Sequence, residues 1–177
     1  MSKNFFVDPK FNCLYSELFP VVYRVAYRIS GDAAISEDLT HEAFVQLLRR
    51  EGVLLGISDA RYWLLRVIRN LSLNYEKKRV RERRAFLRLE KETQSEANGP
   101  DMKLIEDVVR GEVQTCLDGL PYQLRTVIVL REYAQFSYNE IGTVLGISHS
   151  NVKIRIYRAR KLLAKLIKER KHYVSKP

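Results

Sequence analysis

The stretch from His149 to Leu163 carries side chains that could read DNA. It combines short hydrogen-bonding groups with cations, and Val152, Ile156 and Ala159 recur at helical spacing on one apolar face. With that face turned inward, the outward surface offers donors and one aliphatic group, which suits base edges and phosphates in a major groove. The candidate reading residues are His149, Ser150, Asn151, Lys153, Ile154, Tyr157 and Arg158.

The residues around this stretch predict two helices joined by a tight turn. Ser137 and Glu140 have the spacing of a capping box, and Gly146 stands where a helix ends in a left-handed residue. Ser148 is placed to cap the following helix, and Gly142 would let the two helices approach closely. This arrangement is a helix-turn-helix. A solvated basic helix is the competing interpretation, and the capped turn argues against it.

A second candidate surface lies between Arg61 and Arg84, where nine Lys and Arg face two acids. Leu64, Ile68 and Leu71 form an inward stripe, so amides and cations share the outward face. Trp63 is expected in the core or at its rim. The outward residues are Arg66, Asn70, Asn74, Lys77 and Lys78.

The segment from Asp32 to Glu42 has the opposite charge, with four acids and no Lys or Arg in a chain of net charge +10. Leu39, Ala43 and Leu47 form its buried face. Another face carries the acidic and polar side chains, with Phe44 on or beside it. His41 has no second ligand at zinc spacing, so we expect neither a metal nor another cofactor. The residues of this acidic surface are Asp38, His41, Glu42 and Phe44.

Helical periodicity throughout the chain predicts an all-α fold of two small helical domains joined by a flexible linker, the second containing the helix-turn-helix. The expected domains are residues 1–92 and 106–177, with the linker at 93–105, where small polar residues precede Gly-Pro. The expected early helices are residues 12–29, with a kink or a later start at Pro20; 33–50, capped by Asp32; and 60 to beyond 84, capped by Asp59 after a loop at 51–59.

Composition limits the classes of function. A pI near 9.7 favours a polyanionic partner, nucleic acid before a membrane surface. No apolar run of about 18 residues predicts membrane insertion, and the N-terminus lacks a secretory pattern. Cys13 and Cys116 are distant and fit free thiols in a reducing cytoplasm. No nucleophile or phosphate-loop motif supports an enzyme.

The stretch "LPYQLRTVIVLREYAQFSYNEIGTVLGISHSNVKIRIYRARKLL" resembles region 4 of bacterial extracytoplasmic-function sigma factors over about 44 residues. "SEDLTHEAFVQLL" and "ARYWLLRVIRNLSLNYEKKRVR" resemble two region 2 signatures of the same family. The similarity covers about residues 12–84 and 110–166. Ile154 stands where a small polar residue is usual, and His41 where Gln is usual.

This resemblance implies a role for each surface. The acidic face would dock on the clamp helices of core RNA polymerase. The face with Asn70 and Asn74, with the 51–59 loop, would melt the minus-ten element and capture a flipped base from the single strand. The helix-turn-helix would bind the double-stranded minus-thirty-five element. The resemblance also implies an anti-sigma factor as a partner.

Three other classes of function compete with this interpretation. A free-standing helix-turn-helix regulator would usually dimerise, but no heptad seam is present and the acidic face would be unexplained. An enzyme lacks its motifs. A basic peripheral membrane protein would carry Trp, Phe and Leu where the last helix carries Asn and Ser.

Overall fold

The computed structural model describes residues 9–50, 56–92 and 111–174. All the regular elements in these ranges are α-helices, which confirms the all-α prediction. The linker predicted at 93–105 and most of the 51–59 loop lie outside the described residues. The helices are α1 (Pro9–Ser30), α2 (Ala33–Arg49), α3 (Ile57–Glu92), α4 (Glu112–Asp118), α5 (Tyr122–Glu132), α6 (Tyr138–Leu145) and α7 (His149–Val174).

Helices α1, α2 and α3 pack together through the faces that the periodicity predicts. Val22, Ala43 and Ile68 are fully buried where the three helices meet. The junction between α1 and α2 is local chemistry: Gly31 adopts a positive φ of 75° at the end of α1, and the Asp32 carboxylate accepts the Ile35 amide at 3.0 Å. The N-cap predicted at Asp32 is confirmed.

Two predicted helix starts differ from the structure. Helix α1 continues through Pro20, so a later start there is wrong. Proline removes one amide donor, and because Pro20 and Ser16 are both exposed, water can reach the Ser16 carbonyl that loses its partner. Helix α3 begins at Ile57, since the Ala60 amide already bonds to the Gly56 carbonyl at 3.1 Å. Asp59 therefore lies in the first turn, where its charge still favours the helix N-terminus.

The second half of the chain, α4 to α7, builds its own core around α5. Val127, Leu130 and Ile141 are buried beside Val152 and Ile156 of α7. Helix α1 also contacts α4 and α5, so the apolar cores of the two halves are continuous. In the described structure the two halves therefore touch one another directly.

Candidate polymerase and nucleic-acid interfaces

The turn between α6 and α7 has the geometry that the sequence predicts. Ser137 and Glu140 form both hydrogen bonds of a capping box: the Ser137 amide donates to Glu140 Oε2 at 2.7 Å, and the Glu140 amide donates to Ser137 Oγ at 3.3 Å. Gly146 has φ 66°, and Ser148 Oγ accepts the Asn151 amide at 3.3 Å. These contacts fix the angle at which α7 leaves the turn, which confirms the helix-turn-helix.

The capping carboxylate responds to pH. Hydrogen bonds from the Ser137 side chain and backbone lower the pKa of Glu140. Because the folded-state pKa lies below the unfolded one, the contribution of this cap is present at neutral pH. It is lost as the pH falls through the depressed value. Since Glu140 is exposed, solvent screening keeps the effect small.

Gly142 of α6 lies close to the backbone of the turn that follows it. A Cβ placed there would lie 2.8 Å from the Ile147 carbonyl oxygen, and the Gly142 carbonyl accepts the Ile147 amide at 3.0 Å. We expect Gly142→Ala to lower the free energy of unfolding by about 1–3 kcal/mol, because the turn must shift to relieve the clash. Chemical denaturation measures this loss. Gly56→Ala is the matched control, since nothing lies within 4 Å of its Cβ position; equal stability of the two variants would contradict this role for Gly142.

Helix α7 buries one face and exposes the predicted reading face. Val152, Ile156 and Ala159 are at most 2% exposed. All seven candidate reading residues are exposed, and they include the apolar Ile154 at 49% and Tyr157 at 67%. Two large apolar groups exposed beside cations suit contacts with thymine methyl groups and sugars. Arg160 differs from these reading residues, since its guanidinium donates a hydrogen bond to the Glu132 carboxylate at 2.8 Å.

Helix α3 presents the second predicted face. Arg66, Asn70, Asn74, Lys77 and Lys78 are all exposed and follow one another along the helix. Their amides and cations could contact the base edges and backbone of a melted strand. The Asn70 Oδ1 accepts a hydrogen bond from Arg69 at 2.8 Å. Trp63 is half-buried with the Arg50 guanidinium 5.6 Å from its ring centroid, as expected for a rim residue.

Helix α2 exposes Asp38, His41 and Glu42 together, as predicted. Phe44 differs: its side chain is 2% exposed, with ring centroids of Tyr15 at 4.7 Å and Phe11 at 6.4 Å. Residues four apart in a helix lie on the same face. Phe44 follows the buried Thr40 by four residues, so its side chain also points into the core. Phe44 therefore supports α2 from beneath and does not form part of its outer surface.

The structure adds an aromatic row that the sequence interpretation missed. The Phe19 ring lies 5.8 Å from His41 and is stacked with Tyr23 at 6.1 Å, and Tyr23 is stacked with Tyr27 at 6.4 Å. All three rings are half-buried, and Phe19 brings the row against the acidic face of α2 at His41. The signal was present, since the aromatic residues of α1 recur every four positions from Tyr15 to Tyr27.

The described residues provide neither a metal-binding cluster nor a membrane-spanning helix. No group of three or more His, Cys, Asp or Glu in these ranges could hold a metal ion. None of the described helices is both long and apolar enough to cross a lipid bilayer.

Comparison with known proteins gives the family. The family described as Sigma-70 region 2 matches residues 14–82, and that described as Sigma-70, region 4, matches residues 110–163. The ECF RNA polymerase sigma factor SigL of Mycobacterium tuberculosis is 30% identical over 157 residues, which cover 88% of each chain. The chain belongs to the ECF RNA polymerase sigma factor family. The matched segments contain all the candidate residues of α2, α3 and α7.

One further sequence relative and one solved structure are similar to this sigma factor. The ECF RNA polymerase sigma factor SigE of Mycolicibacterium smegmatis is 34% identical over 144 residues, or 80% of this chain, and the match spans 55% of the relative's length. The sigma factor RpoE of Bartonella quintana, solved in complex with the anti-sigma factor NepR, superposes with a TM-score of 0.65 at 21% identity. That match covers 91% of this chain and 98% of the other. The structural likeness shows a shared fold.

Proposed function

We propose that this sigma factor binds core RNA polymerase and directs promoter recognition and DNA melting at transcription initiation, acting as a binding subunit without catalysis of its own. The observation that carries the proposal is the separation of three exposed surfaces within one basic chain. An acidic face lies on α2, an amide-and-cation face on α3, and a donor-rich face on α7. The acidic face fits a basic protein surface, whereas the other two fit DNA.

Each half of the chain would have its own role. Residues 1–92 would dock on the polymerase and open the minus-ten element, residues 106–177 would bind the minus-thirty-five element, and 93–105 would link them. Such a protein works where core polymerase is, in the cytoplasm. An anti-sigma factor is a further proposed partner, since the Bartonella quintana relative was solved with one.

Reconstitution with purified core polymerase tests this function. Adding the chain to core enzyme should give a stable complex on gel filtration. The complex should also make transcripts that start at defined promoters, because core enzyme supplies RNA synthesis and the chain supplies promoter recognition. A free-standing regulator would instead bind its DNA site tightly without polymerase. If the chain binds promoter DNA at nanomolar concentration but never associates with core enzyme, the proposal is wrong.

The α3 face gives a prediction that separates melting from docking. Asn70→Ala with Asn74→Ala should reduce open-complex formation about tenfold or more, because each amide lost removes polar contacts to an unstacked base. Binding to core enzyme should be unchanged, since these residues lie on α3 and not on the acidic face. Permanganate footprinting measures the melted strand, and Asn12→Ala, an exposed amide of α1, is the control. Unchanged footprints in the double variant would contradict the assignment.

A further inference from the structure

A groove bordered by α3, α5 and α7 is lined by cations from two of these helices. Its volume is about 700 Å³, which lies within the range of pockets that hold small molecules. Helix α3 contributes Arg69, Lys77, Arg81 and Arg84, and α7 contributes Arg155. Arginine predominates, and its planar guanidinium can donate two parallel hydrogen bonds to one phosphate. The lining therefore favours an anionic ligand.

The positive charge of the groove is not neutralised by carboxylates of its own lining. Among the described residues that line it, the only acid is Glu76. Arg79, which lies outside the lining, pairs with Glu76 Oε2 at 3.0 Å. Within residues 9–50, 56–92 and 111–174, none of the lining cations forms a salt bridge. Because like charges on a concave surface add their fields, the groove should attract small anions from solution.

Arg69 carries a donor that the described structure leaves without an acceptor. Its side chain is half-buried, its Nη1 donates to Asn70 Oδ1 at 2.8 Å, and its Nε is buried with no hydrogen-bond partner among the described residues. The Tyr122 hydroxyl donates to the Arg69 carbonyl at 3.2 Å, which joins α5 to α3 beside the groove. Burial raises the pKa of Tyr122, so this hydroxyl keeps its proton at neutral pH. A buried donor without a partner costs free energy, and an anion oxygen within reach would offset that cost.

The groove also has apolar side chains in its lining. Leu73 and Val80 of α3 line it together with Leu145, Ile147 and Tyr122 of the second half. Val80 is 39% exposed although its neighbours on both sides in the sequence are charged. Inorganic phosphate gains nothing from apolar contacts, whereas a planar nucleobase can pack on apolar side chains and on a guanidinium plane. Cations and apolar groups in one groove suit a ligand that has both a phosphate chain and a base.

We propose that this groove is a binding site for a nucleoside polyphosphate. Arg81 and Arg155 would hold the phosphate chain from two different helices, and Val80 would contact the base. The inference goes beyond the proposed function, because it assigns a small-molecule ligand to a chain whose other proposed partners are proteins and DNA. Lys77 belongs both to the groove and to the proposed minus-ten face, so a bound nucleotide and a melted strand would compete for it.

Calorimetric titration of the full-length free chain tests the site with three probes. GTP should bind saturably with one molecule per chain, and the affinity should fall as salt is added. Sodium tripolyphosphate, which lacks the base, should bind severalfold more weakly despite its dense charge, and guanosine, which lacks phosphates, should show no binding. Titrations without divalent cations keep the phosphate charge uncompensated. If GTP does not saturate, or if tripolyphosphate binds as tightly as GTP, the proposal is wrong.

A pair of matched double variants locates the ligand. Arg81→Gln with Arg155→Gln should weaken GTP binding about tenfold or more, because each charge-assisted hydrogen bond lost costs on the order of a factor of ten. Arg83→Gln with Lys168→Gln removes the same charge from exposed positions of the same two helices outside the lining, and GTP affinity should stay within about twofold of wild type. Equal losses in the two double variants would show diffuse charge attraction and would overturn the site.

A single substitution and a DNA probe complete the test. Val80→Glu puts a negative charge at a partly exposed position of the lining and should abolish GTP binding while leaving the helical circular dichroism signal unchanged. A fluorescent single-stranded oligonucleotide should lose no more affinity in the Arg81 and Arg155 double variant than in its control pair. If that variant loses the oligonucleotide and keeps GTP, the groove belongs to a DNA strand and the nucleotide proposal fails. Neither measurement needs polymerase, so these results stand apart from the test of the sigma function.

Discussion

Reversing two acidic charges on α2 should abolish association with core RNA polymerase. Asp38→Arg with Glu42→Arg turns the acidic face basic on a chain that already carries a net charge of +10. Like charges brought together at an interface cost several kcal/mol, which is enough to lower affinity by a factor of 100 or more. Co-purification with core enzyme from purified components measures the loss.

The fold should survive this double substitution. Both side chains are exposed, and the hydrogen bond that Glu42 accepts from Gln46 at 2.9 Å is also exposed, so its loss costs little. The circular dichroism signal and the unfolding midpoint should therefore stay close to wild type. Glu112→Arg with Glu169→Arg makes the same change of net charge on exposed positions of the second half. Equal binding by the two double variants would show that α2 does not provide the docking surface.

Local chemistry explains why the sequence predicted the helix-turn-helix so well. The positions of Ser137, Gly146 and Ser148 depend on backbone groups within a few residues, and each residue type suits one backbone role. The buried face of α7 then follows from spacing alone, since Val152, Ile156 and Ala159 repeat at helical intervals. A helix cap or a buried helix face can therefore be predicted from a short segment alone, without reference to the rest of the chain.

Packing from elsewhere in the chain decides where Phe44 lies. The sequence predicts Phe44 on or beside the acidic face of α2, whereas in the structure its ring is buried against Tyr15 of α1. The hydrogen bond from Arg125 to the Ile29 carbonyl could not be predicted at all, because the two residues are 96 apart in the chain. Arginine is usually exposed in proteins, so the sequence predicts a surface position for an arginine in an amphipathic helix. Only the packing of the folded chain shows that such a residue is buried.

Helix α7 should show two kinds of contact with the minus-thirty-five element. A residue that bonds a base edge changes preference at one base pair, and its loss costs about 1–3 kcal/mol, or roughly 5- to 150-fold. Lys153, Ile154 and Arg158 are exposed on the reading face and are the candidates. A cation that contacts only phosphate, as we expect for Lys161, weakens binding to all sequences alike. Its loss should lower the slope of log affinity against log salt by about 0.9.

Transcription from a library randomised in the upstream element separates these contacts. Lys153→Ala, Ile154→Ser and Arg158→Ala should each change the selected bases, with Ile154→Ser weakening any preference for thymine because the aliphatic contact to its methyl group is lost. Lys165→Ala is the control, since it removes an exposed cation about two turns beyond the end of the reading face at Arg158. Lys165 pairs there with Glu169 at 3.7 Å. If all three reading-face variants select the wild-type sequence, α7 contacts the promoter through phosphates alone.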